Sequence, residues 1–295
     1  MKPAPFEYFA PPTLDEALSL MKQHGFDAKV LAGGQSLIPV MNFRLSQPTI
    51  LIDINHIPDL NGISTTDVNG LSIKAMSRHA HAEKSDLVAQ HAPLMFETMP
   101  YIAHPQIRNR GTIGGSIAHA DPAGELPVIC VTLDAKFLLK REGSERWVTA
   151  NDFFIGLFET ALNPEEIICE IEIPPLPPNS GYGFHELARR HGDYAQAGAS
   201  AFIQLDEAGR CKDAKLVFLN VGERPMVADE GAKLLIGQFL DEAVVGTAVH
   251  TAIQNEIDPT SDVHATAKYK RHLAGVLAKR ALNQAIKRAQ TRSAL

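Results

Sequence analysis

Apolar residues recur at helical spacing near the start of the chain. One face of the predicted helix collects four apolar side chains: Leu14, Ala17, Leu18 and Met21. Thr13 and Glu16 have the spacing of a capping box, and Gly25 is suited to end a helix. The pattern therefore predicts a first helix that begins after Thr13 and ends at Gly25.

Short runs rich in β-branched residues follow this helix. They predict four strands: KVLAGG at 29–34, TILIDI at 49–54, LSIKAM at 71–76 and IICEIEI at 167–173. A further helix is expected from about Glu83 to Glu97. The first part of the chain should therefore mix strands with helices.

A break in this pattern falls at PPLPPNSG, residues 174–181. Four prolines and a glycine cannot continue the preceding strand, so a domain boundary is expected here, with domains at 1–176 and 177–295. Beyond it, ASAFIQL and KLVFLNVG flank the turn residues DEAGR and predict an antiparallel pair. Two helices follow, near 241–257 and from about 264 to 292. The last has one apolar packing face: Tyr269, Leu273, Val276, Leu277 and Ile286.

The segment 102–127, IAHPQIRNRGTIGGSIAHADPAGELP, has neither helical nor strand periodicity and is rich in glycine. It is expected to be a long ordered loop. Loops of that length in compact domains are usually functional.

Composition narrows the classes of function. The chain has 295 residues, 45% of them hydrophobic, which predicts a soluble globular protein of about two domains. A net charge of −6 without a basic run argues against nucleic-acid and anionic-membrane partners. Prolines near the N-terminus interrupt any signal peptide, and no apolar run is long enough to span a membrane. A cytoplasmic location is expected.

The three cysteines and the histidines suggest no metal site. Cys130, Cys169 and Cys211 are far apart without a Cys-x-x-Cys, so we expect buried thiols rather than ligands of an iron–sulfur cluster or zinc. His119 and Asp121 lack a third ligand at a suitable spacing. No catalytic set of the Ser-His-Asp or Cys-His kind can be paired from sequence alone.

Two glycine pairs carry the main chemical signal. Gly33-Gly34 and Gly114-Gly115 each follow an apolar residue and precede polar side chains, including the Ser36 and Ser116 hydroxyls. Glycine lets backbone N–H groups approach an anion closely, so two such loops could clamp one ligand through their amides. Neither pair fits the Rossmann or P-loop spacing, and each could equally be a purely structural turn.

The chain resembles the FAD-binding medium subunit of molybdenum hydroxylases, the family of carbon monoxide dehydrogenase, quinoline and nicotine oxidoreductases and xanthine dehydrogenase. The resemblance lies in residues 31–54, LAGGQSLIPVMNFRLSQPTILIDI, in the whole of 102–127, and in GDYA at 192–195. It implies an α+β fold. A FAD-binding domain of the vanillyl-alcohol-oxidase type, two-lobed and split near residue 56, would precede a small C-terminal domain with a three-stranded antiparallel sheet and a helix bundle.

The resemblance also implies the residues that contact FAD. Those around the first glycine pair are Val30, Leu31, Ala32, Gly33, Gly34, Gln35, Ser36 and Leu37. The second pair adds Thr112, Gly114, Gly115 and Ser116. Candidates around the flavin and its linker are Ile102, His119, Asp121, Glu125, Ile168 and Tyr194. The resemblance implies that the anion approached by the glycines is the diphosphate of FAD.

The implied function is electron transfer. In this family the FAD subunit accepts electrons from the iron–sulfur clusters of a small [2Fe-2S] subunit, after substrate oxidation at a molybdenum cofactor in a large subunit, and passes them to an external acceptor. A dimer of heterotrimers is expected, with Arg108 and Arg110 as candidates for a subunit contact, for phosphate neutralisation or for a salt bridge within the loop. A non-redox assembly module and a self-contained flavin oxidase are the alternatives.

Overall fold

The computed structural model describes residues 1–293. The α-helices in that range are α1 (Leu14–His24), α2 (Leu37–Asn42), α3 (His79–Ala82), α4 (Asp86–His91), α5 (Pro93–Thr98), α6 (Pro105–Arg108), α7 (Ile113–His119), α8 (Glu125–Thr132), α9 (Ala150–Phe153), α10 (Asp229–Lys233), α11 (Glu242–Asn255) and α12 (Ala267–Ser293). Short 3₁₀ turns occur at Gly25–Asp27, Pro58–Leu60 and Met99–Tyr101.

The strands complete the α+β fold. They are β1 (Glu7–Phe9), β2 (Ala28–Leu31), β3 (Ile50–Asp53), β4 (Ile63–Thr65), β5 (Leu71–Lys74), β6 (Lys136–Arg141), β7 (Ser144–Thr149), β8 (Phe154–Gly156), β9 (Glu159–Thr160), β10 (Ile167–Ile173), β11 (Ser180–Leu187), β12 (Ala197–Leu205), β13 (Cys211–Leu219) and β14 (Met226–Val227).

The first sheet is parallel and small. Its strand order is β1-β3-β2, with Val30 opposite Ile52 and Leu31 opposite Asp53. The carboxyl ends of β2 and β3 therefore lie at one edge, where the first glycine pair follows β2 and Asp53 ends β3. Helix α1 packs over this sheet, with Thr13 capping its first turn and Gly25 ending it, as the sequence predicts.

The second sheet has the order β4-β5-β10-β6-β7 and is antiparallel throughout. Its apolar face joins α5, α7 and α8 in the largest core cluster, which includes Phe137, Ile171 and Ile129. The split expected near residue 56 lies between β3 of the first sheet and β4 of the second.

The last 114 described residues form the third sheet and its helices from β11 onward. The three long strands β11, β12 and β13 pair antiparallel as expected, and the two-residue β14 extends the sheet to four strands. Helix α12 packs across β11 and β12, and α10 and α11 pack beside it around Leu277 and Val249. The predicted boundary after residue 176 falls between β10 and β11.

Three sequence expectations differ from the structure. The helix predicted from Glu83 to Glu97 is two helices, because the backbone leaves the helical region at Ala92 and Pro93 starts α5. The predicted loop 102–127 contains α6, α7 and the start of α8; tertiary packing stabilises these short helices despite their weak periodicity. Tyr269, expected on the packing face of the last helix, is exposed, whereas Leu273, Leu277 and Ile286 are buried.

Candidate functional site

The two glycine pairs lie against each other. A Cβ atom built on Gly33 would lie 2.4 Å from the carbonyl oxygen of Arg110 and 2.8 Å from the Cα atom of Gly111. A Cβ atom on Gly115 would lie 3.5 Å from that of Ala32. Only glycine at position 33 allows this approach, so the two segments form one site.

The first glycine pair presents unpaired amides. Within residues 1–293, the N–H groups of Gly33, Gly34, Gln35 and Ser36 have no hydrogen-bond partner. Gly34 has a φ of +72°, a left-handed conformation that turns successive N–H groups toward the same side. Four unpaired N–H groups in a concave loop are the arrangement that binds a phosphate or another anion.

The second glycine pair has its amides already occupied. Each of four successive N–H groups donates within the protein: Ile113 to the Ser77 carbonyl at 3.0 Å, Gly114 to the Ala75 carbonyl at 2.8 Å, Gly115 to the Thr112 hydroxyl oxygen at 3.1 Å, and Ser116 to the Thr112 carbonyl at 3.1 Å. The expectation that both pairs hold an anion through amides is therefore wrong for the second pair. Its remaining donors are the Thr112 and Ser116 hydroxyl groups.

A cleft opens beside the first glycine pair. Its volume is about 350 Å³, within the range of about 300–1,000 Å³ typical of small-molecule sites. The residues that line it are Leu31, Ala32, Gly33, Gly34, Gln35, Ile38, Pro39, Asp53, Asn55 and Arg110. Arg110 is exposed and brings a positive charge to the rim.

Asp53 gives the cleft one fixed negative charge. Its carboxylate accepts a hydrogen bond from the Tyr8 hydroxyl at 2.6 Å and from the Asn55 backbone N–H at 2.8 Å. Burial works to raise the pKa of Asp53, but these hydrogen bonds outweigh it and hold the pKa below its usual value. The carboxylate is therefore ionised at neutral pH.

A hydrogen-bonded chain joins the two glycine segments. The Arg78 guanidinium donates to the carbonyl of Arg110 and, at 2.6 Å, to the side-chain oxygen of Asn55. The Asn55 amide donates in turn to the carbonyl of Ala32 at 2.7 Å. This chain fixes the width of the cleft, because each segment is tied to the same guanidinium.

A second group of candidate residues lies at the far end of α7. The imidazole of His119 is 3.9 Å from the Asp121 carboxylate and stacks at a tilt on Phe158, with ring centroids 5.1 Å apart. Burial lowers the pKa of His119, although Asp121 opposes the shift. Tyr194 is 66% exposed, so its ring is free to contact a ligand.

Two carboxyl groups in this group have raised pKa values: Glu125, which is buried, and Glu186, which is half-buried. Burial raises the pKa of Glu125 to about 7, and Asp121 adds to the shift. Burial raises the pKa of Glu186 to about 8, with repulsion from Glu125 adding to it, and one of its carboxylate oxygens is buried without a partner in the described chain. A carboxyl group that keeps its proton near neutral pH can donate a hydrogen bond.

The remaining candidates lie deeper. Ile102 and Ile168 are 8% and 5% exposed and belong to the main core cluster. Val30 and Leu31 are half-buried in β2, and Leu37 is half-buried at the start of α2. Their contact with FAD stays a prediction.

Arg108 has a structural role. Its guanidinium forms a two-point ion pair with Glu83 at 2.8 and 3.0 Å and donates to the carbonyls of Ile102 and Ala103. Only 8% of Arg108 is exposed. Of the three roles open to Arg108, the structure supports the salt bridge, although its partner Glu83 lies outside the segment 102–127.

Several site residues lie outside the sequence motifs. Asp53 is in the predicted strand 49–54 and Asn55 directly follows it, and polar residues at the carboxyl end of a parallel strand are a signal that could have found them. Nothing in the sequence pattern singles out Arg78, because its role arises from contacts with distant segments.

Two other findings concern the whole described chain. All three cysteines are buried free thiols, as predicted. Among residues 1–293, no helix is long and apolar enough to cross a membrane, and no three His, Cys, Asp or Glu side chains are grouped so that they could hold a metal ion.

Comparison with known families identifies both halves of the chain. Residues 4–176 match the family model of the FAD binding domain in molybdopterin dehydrogenase. Residues 182–285 match that of the CO dehydrogenase flavoprotein C-terminal domain. The matched FAD-binding domain contains both glycine pairs and the cleft between them.

Individual relatives match over nearly their full length. Subunit alpha of the 6-hydroxypseudooxynicotine dehydrogenase complex of Paenarthrobacter nicotinovorans is 41% identical over 98% of this chain and 97% of its own. The solved carbon monoxide dehydrogenase of Hydrogenophaga pseudoflava has a chain that superposes with a TM-score of 0.93 at 38% identity, covering 97% of this chain and 98% of that one. Quinoline 2-oxidoreductase from Pseudomonas putida 86 gives 0.91 at 35% identity, covering 99% and 100%. The chain therefore belongs to the FAD-binding medium subunits of the carbon monoxide dehydrogenase type among the molybdenum hydroxylases.

Proposed function

We propose that this chain is the electron-transferring FAD subunit of a heterotrimeric molybdenum hydroxylase. It accepts electrons from the iron–sulfur clusters of a small subunit and passes them to an external acceptor, while a large subunit carries the molybdenum cofactor and oxidises the substrate. We further propose assembly as a dimer of heterotrimers in the cytoplasm. Relatives named as carbon monoxide, caffeine and nicotine enzymes indicate the range of substrates for such a complex.

The observation that carries the FAD site is the set of unpaired amides at residues 33–36. Three of these residues, Gly33, Gly34 and Gln35, line a cleft with Arg110 at its rim, and an FAD diphosphate is the anion that a FAD-binding domain would place there. The Thr112 and Ser116 hydroxyls are the nearest remaining donors on the second segment. The residues present therefore fit the diphosphate of FAD.

Helix α7 indicates where the flavin end of FAD would lie relative to the diphosphate. This helix begins beside the diphosphate donors and ends at His119, about 10 Å farther at the usual rise per residue. His119, Glu125 and Tyr194 would then surround the flavin ring, and a protonated Glu125 could donate a hydrogen bond to it. Bound FAD would supply the electron-accepting ring, and the chain's own residues hold and orient it.

Two alternatives fit less well. An assembly module that has lost its cofactor would no longer need open amides, but four of them remain in the first glycine loop. A self-contained flavin oxidase fits less well because relatives that match this chain over nearly their full length are named as subunits or chains of dehydrogenases.

The first experiment tests the cofactor. The purified full chain should be yellow, and acid precipitation should release FAD because no histidine or cysteine lies in either glycine pair to form a covalent link. Chromatography of the supernatant identifies the flavin. Colour that stays with the precipitate, or FMN in place of FAD, would contradict the proposed site.

The second experiment tests the assembly. Purification of the complex from its source should recover a molybdenum-containing large chain and a small chain with iron and acid-labile sulfide. The isolated FAD chain should oxidise no hydroxylase substrate, since three buried cysteines cannot bind the clusters. Turnover by the isolated, metal-free chain would refute the electron-transfer assignment.

A further inference from the structure

His79 lies beneath the second glycine pair. It is the first residue of α3, and 3% of it is exposed. Its Nε2 atom is 2.9 Å from the carbonyl oxygen of Thr112 and 3.0 Å from the hydroxyl oxygen of Ser116. Its Nδ1 atom is buried and has no partner in the described chain.

These contacts determine which ring nitrogen carries the proton. A carbonyl oxygen can only accept, so Nε2 must donate to Thr112. The other neutral tautomer would set two lone pairs against each other and bury an N–H at Nδ1 without an acceptor, at a cost of about 1–3 kcal/mol. His79 is therefore protonated on Nε2.

The tautomer fixes the role of the Ser116 hydroxyl. The one Nε2–H is shared between the Thr112 carbonyl oxygen and the Ser116 hydroxyl oxygen, so Ser116 can only accept from the imidazole and its hydroxyl proton is not used there. In the opposite tautomer the same hydroxyl would donate to the imidazole and have no proton for a ligand. His79 thus leaves Ser116 as a hydrogen-bond donor on a segment whose amides are all occupied.

We propose that His79 is a positioning residue that holds the Thr112–Ser116 segment in place and leaves the Ser116 hydroxyl free to donate to the diphosphate of FAD. The inference rests on the proposed FAD site and adds to it a residue outside both glycine motifs. His79 itself does not touch the cofactor and acts through Ser116.

Two features support a neutral, immobile imidazole at this position. Burial, helped by the nearby Arg108 and Arg78 and opposed by the hydrogen bond to Thr112, lowers the pKa of His79 to about 4. The ring also packs against the backbone of Gly111, where an added Cβ atom would lie 2.9 Å from Nδ1. Close packing and the contacts of Nε2 therefore hold the ring in place.

The experiment measures FAD affinity of the full-length chain after reversible flavin removal, by flavin fluorescence at pH 7.5. Ser116→Ala and His79→Leu should each weaken binding about tenfold, because the first removes a donor to the charged diphosphate and the second removes the contact that positions it. The double variant should be no more than about twofold weaker than either single one, because both changes act through the same donor, the Ser116 hydroxyl. His81→Leu, an exposed position on the same short helix, is the matched control and should bind as the wild type.

Two conservative variants separate positioning from a general packing role. The amide nitrogen of glutamine can reach the place of Nε2, whereas that of asparagine reaches only the place of Nδ1. In His79→Gln the affinity should stay within about threefold of the wild type, and adding Ser116→Ala should still cost about tenfold. In the His79→Asn background, adding Ser116→Ala should not weaken FAD binding any further. This pair decides the question even where His79→Leu fails to fold.

Three results would overturn the inference. Wild-type affinity in a folded His79→Leu variant would remove His79 from the site. Fully additive losses in the double variant, or equal effects of Ser116→Ala in the glutamine and asparagine backgrounds, would show that the two residues act independently. A wild-type chain that takes up no FAD would overturn the proposed FAD site itself, a failure distinct from those of His79.

Discussion

The two glycine pairs look alike in sequence but offer different chemistry. The first, at Gly33-Gly34, leaves four amides free beside a cleft, whereas the second, at Gly114-Gly115, has every neighbouring amide bonded within the protein. The first can bind an anion through its backbone, and the second only through hydroxyl side chains. A glycine pair thus indicates that its backbone comes close to another group. The hydrogen-bond partners of its amides show whether that group can be a ligand or is another part of the protein.

The difference has a structural cause. The first pair follows β2, an edge strand with β3 on one side and no strand on the other. The second pair follows residues that run beside the end of β5, where the carbonyls of Ala75 and Ser77 accept its N–H groups. A Cβ atom on Gly114 would lie 2.5 Å from that of Ala75, so this glycine serves packing.

The largest effect should come from a side chain that forces the two glycine segments apart. Gly33→Ala forces a Cβ atom into the Arg110 carbonyl, whose backbone cannot move away, and should weaken FAD binding at least about 100-fold and lower stability by about 1–3 kcal/mol. Flavin content and chemical denaturation measure both. Gly246→Ala, where an added Cβ atom meets nothing, is the control and should keep FAD. Full flavin content in Gly33→Ala would show that FAD binding does not depend on the close contact between the two glycine pairs.

Lowering the pH should reduce the folding stability of the protein through His79, which contacts the segment of the second glycine pair. The folded pKa of about 4 lies below the unfolded value of 6.5, so the unfolded chain binds more protons between these values and stability falls as pH is lowered through this window. Each pKa unit is worth about 1.4 kcal/mol, which gives a loss of about 3 kcal/mol by pH 4.

The matched comparison for this pH effect is His79→Gln, which cannot titrate. Protonation of Glu125 at falling pH has the opposite sign, because its folded pKa is raised, but it contributes equally to both proteins and cancels in the difference. Urea unfolding of FAD-free protein at pH 7.5 and pH 4.5 gives the two free energies. Parallel pH profiles would show that His79 is not the titrating group.

A smaller effect is expected from removal of the Thr112 hydroxyl, which lies just before the second glycine pair. Thr112→Val keeps the shape of the side chain but removes the oxygen that accepts from the Gly115 N–H, which should cost about 1 kcal/mol of stability. FAD affinity should fall about tenfold, since one donor is lost. The same valine at Thr65, an exposed strand position, should change neither quantity. Unaltered affinity would remove the Thr112 hydroxyl from the proposed FAD site.

The smallest effect on FAD should come from a site far from both pairs. Val276→Ala in α12 removes half-buried apolar surface and should lower stability by about 1 kcal/mol, while the folded fraction keeps its full complement of FAD. Thermal unfolding and absorbance of the same samples measure these quantities. A proportionate loss of FAD affinity in this variant would show that flavin content reports stability alone and that the comparison between the pairs needs another readout.

Much of the fold was predictable because local signals agreed with it. The capping residues of α1, the strands β2, β3, β5 and β10, and the antiparallel pairing of β12 with β13 all follow from capping chemistry and apolar periodicity. The segment 102–127 was not, because its helices are too short to show a period and depend on packing. Within it, three roles stayed open for Arg108, because sequence does not reveal its ion pair with Glu83.

The sequence by itself determined that two glycine segments exist, that they accompany a FAD-binding pattern, and that the cysteines cannot hold clusters. Only the tertiary structure decided how each segment is used. Backbone amides are the same in every residue, and whether one is free depends on the carbonyls that distant strands bring near it. That is why Gly34 and Gly115, alike in sequence, differ in whether their amides are free, and why His79, which no motif marks, contacts the Ser116 hydroxyl 37 residues away.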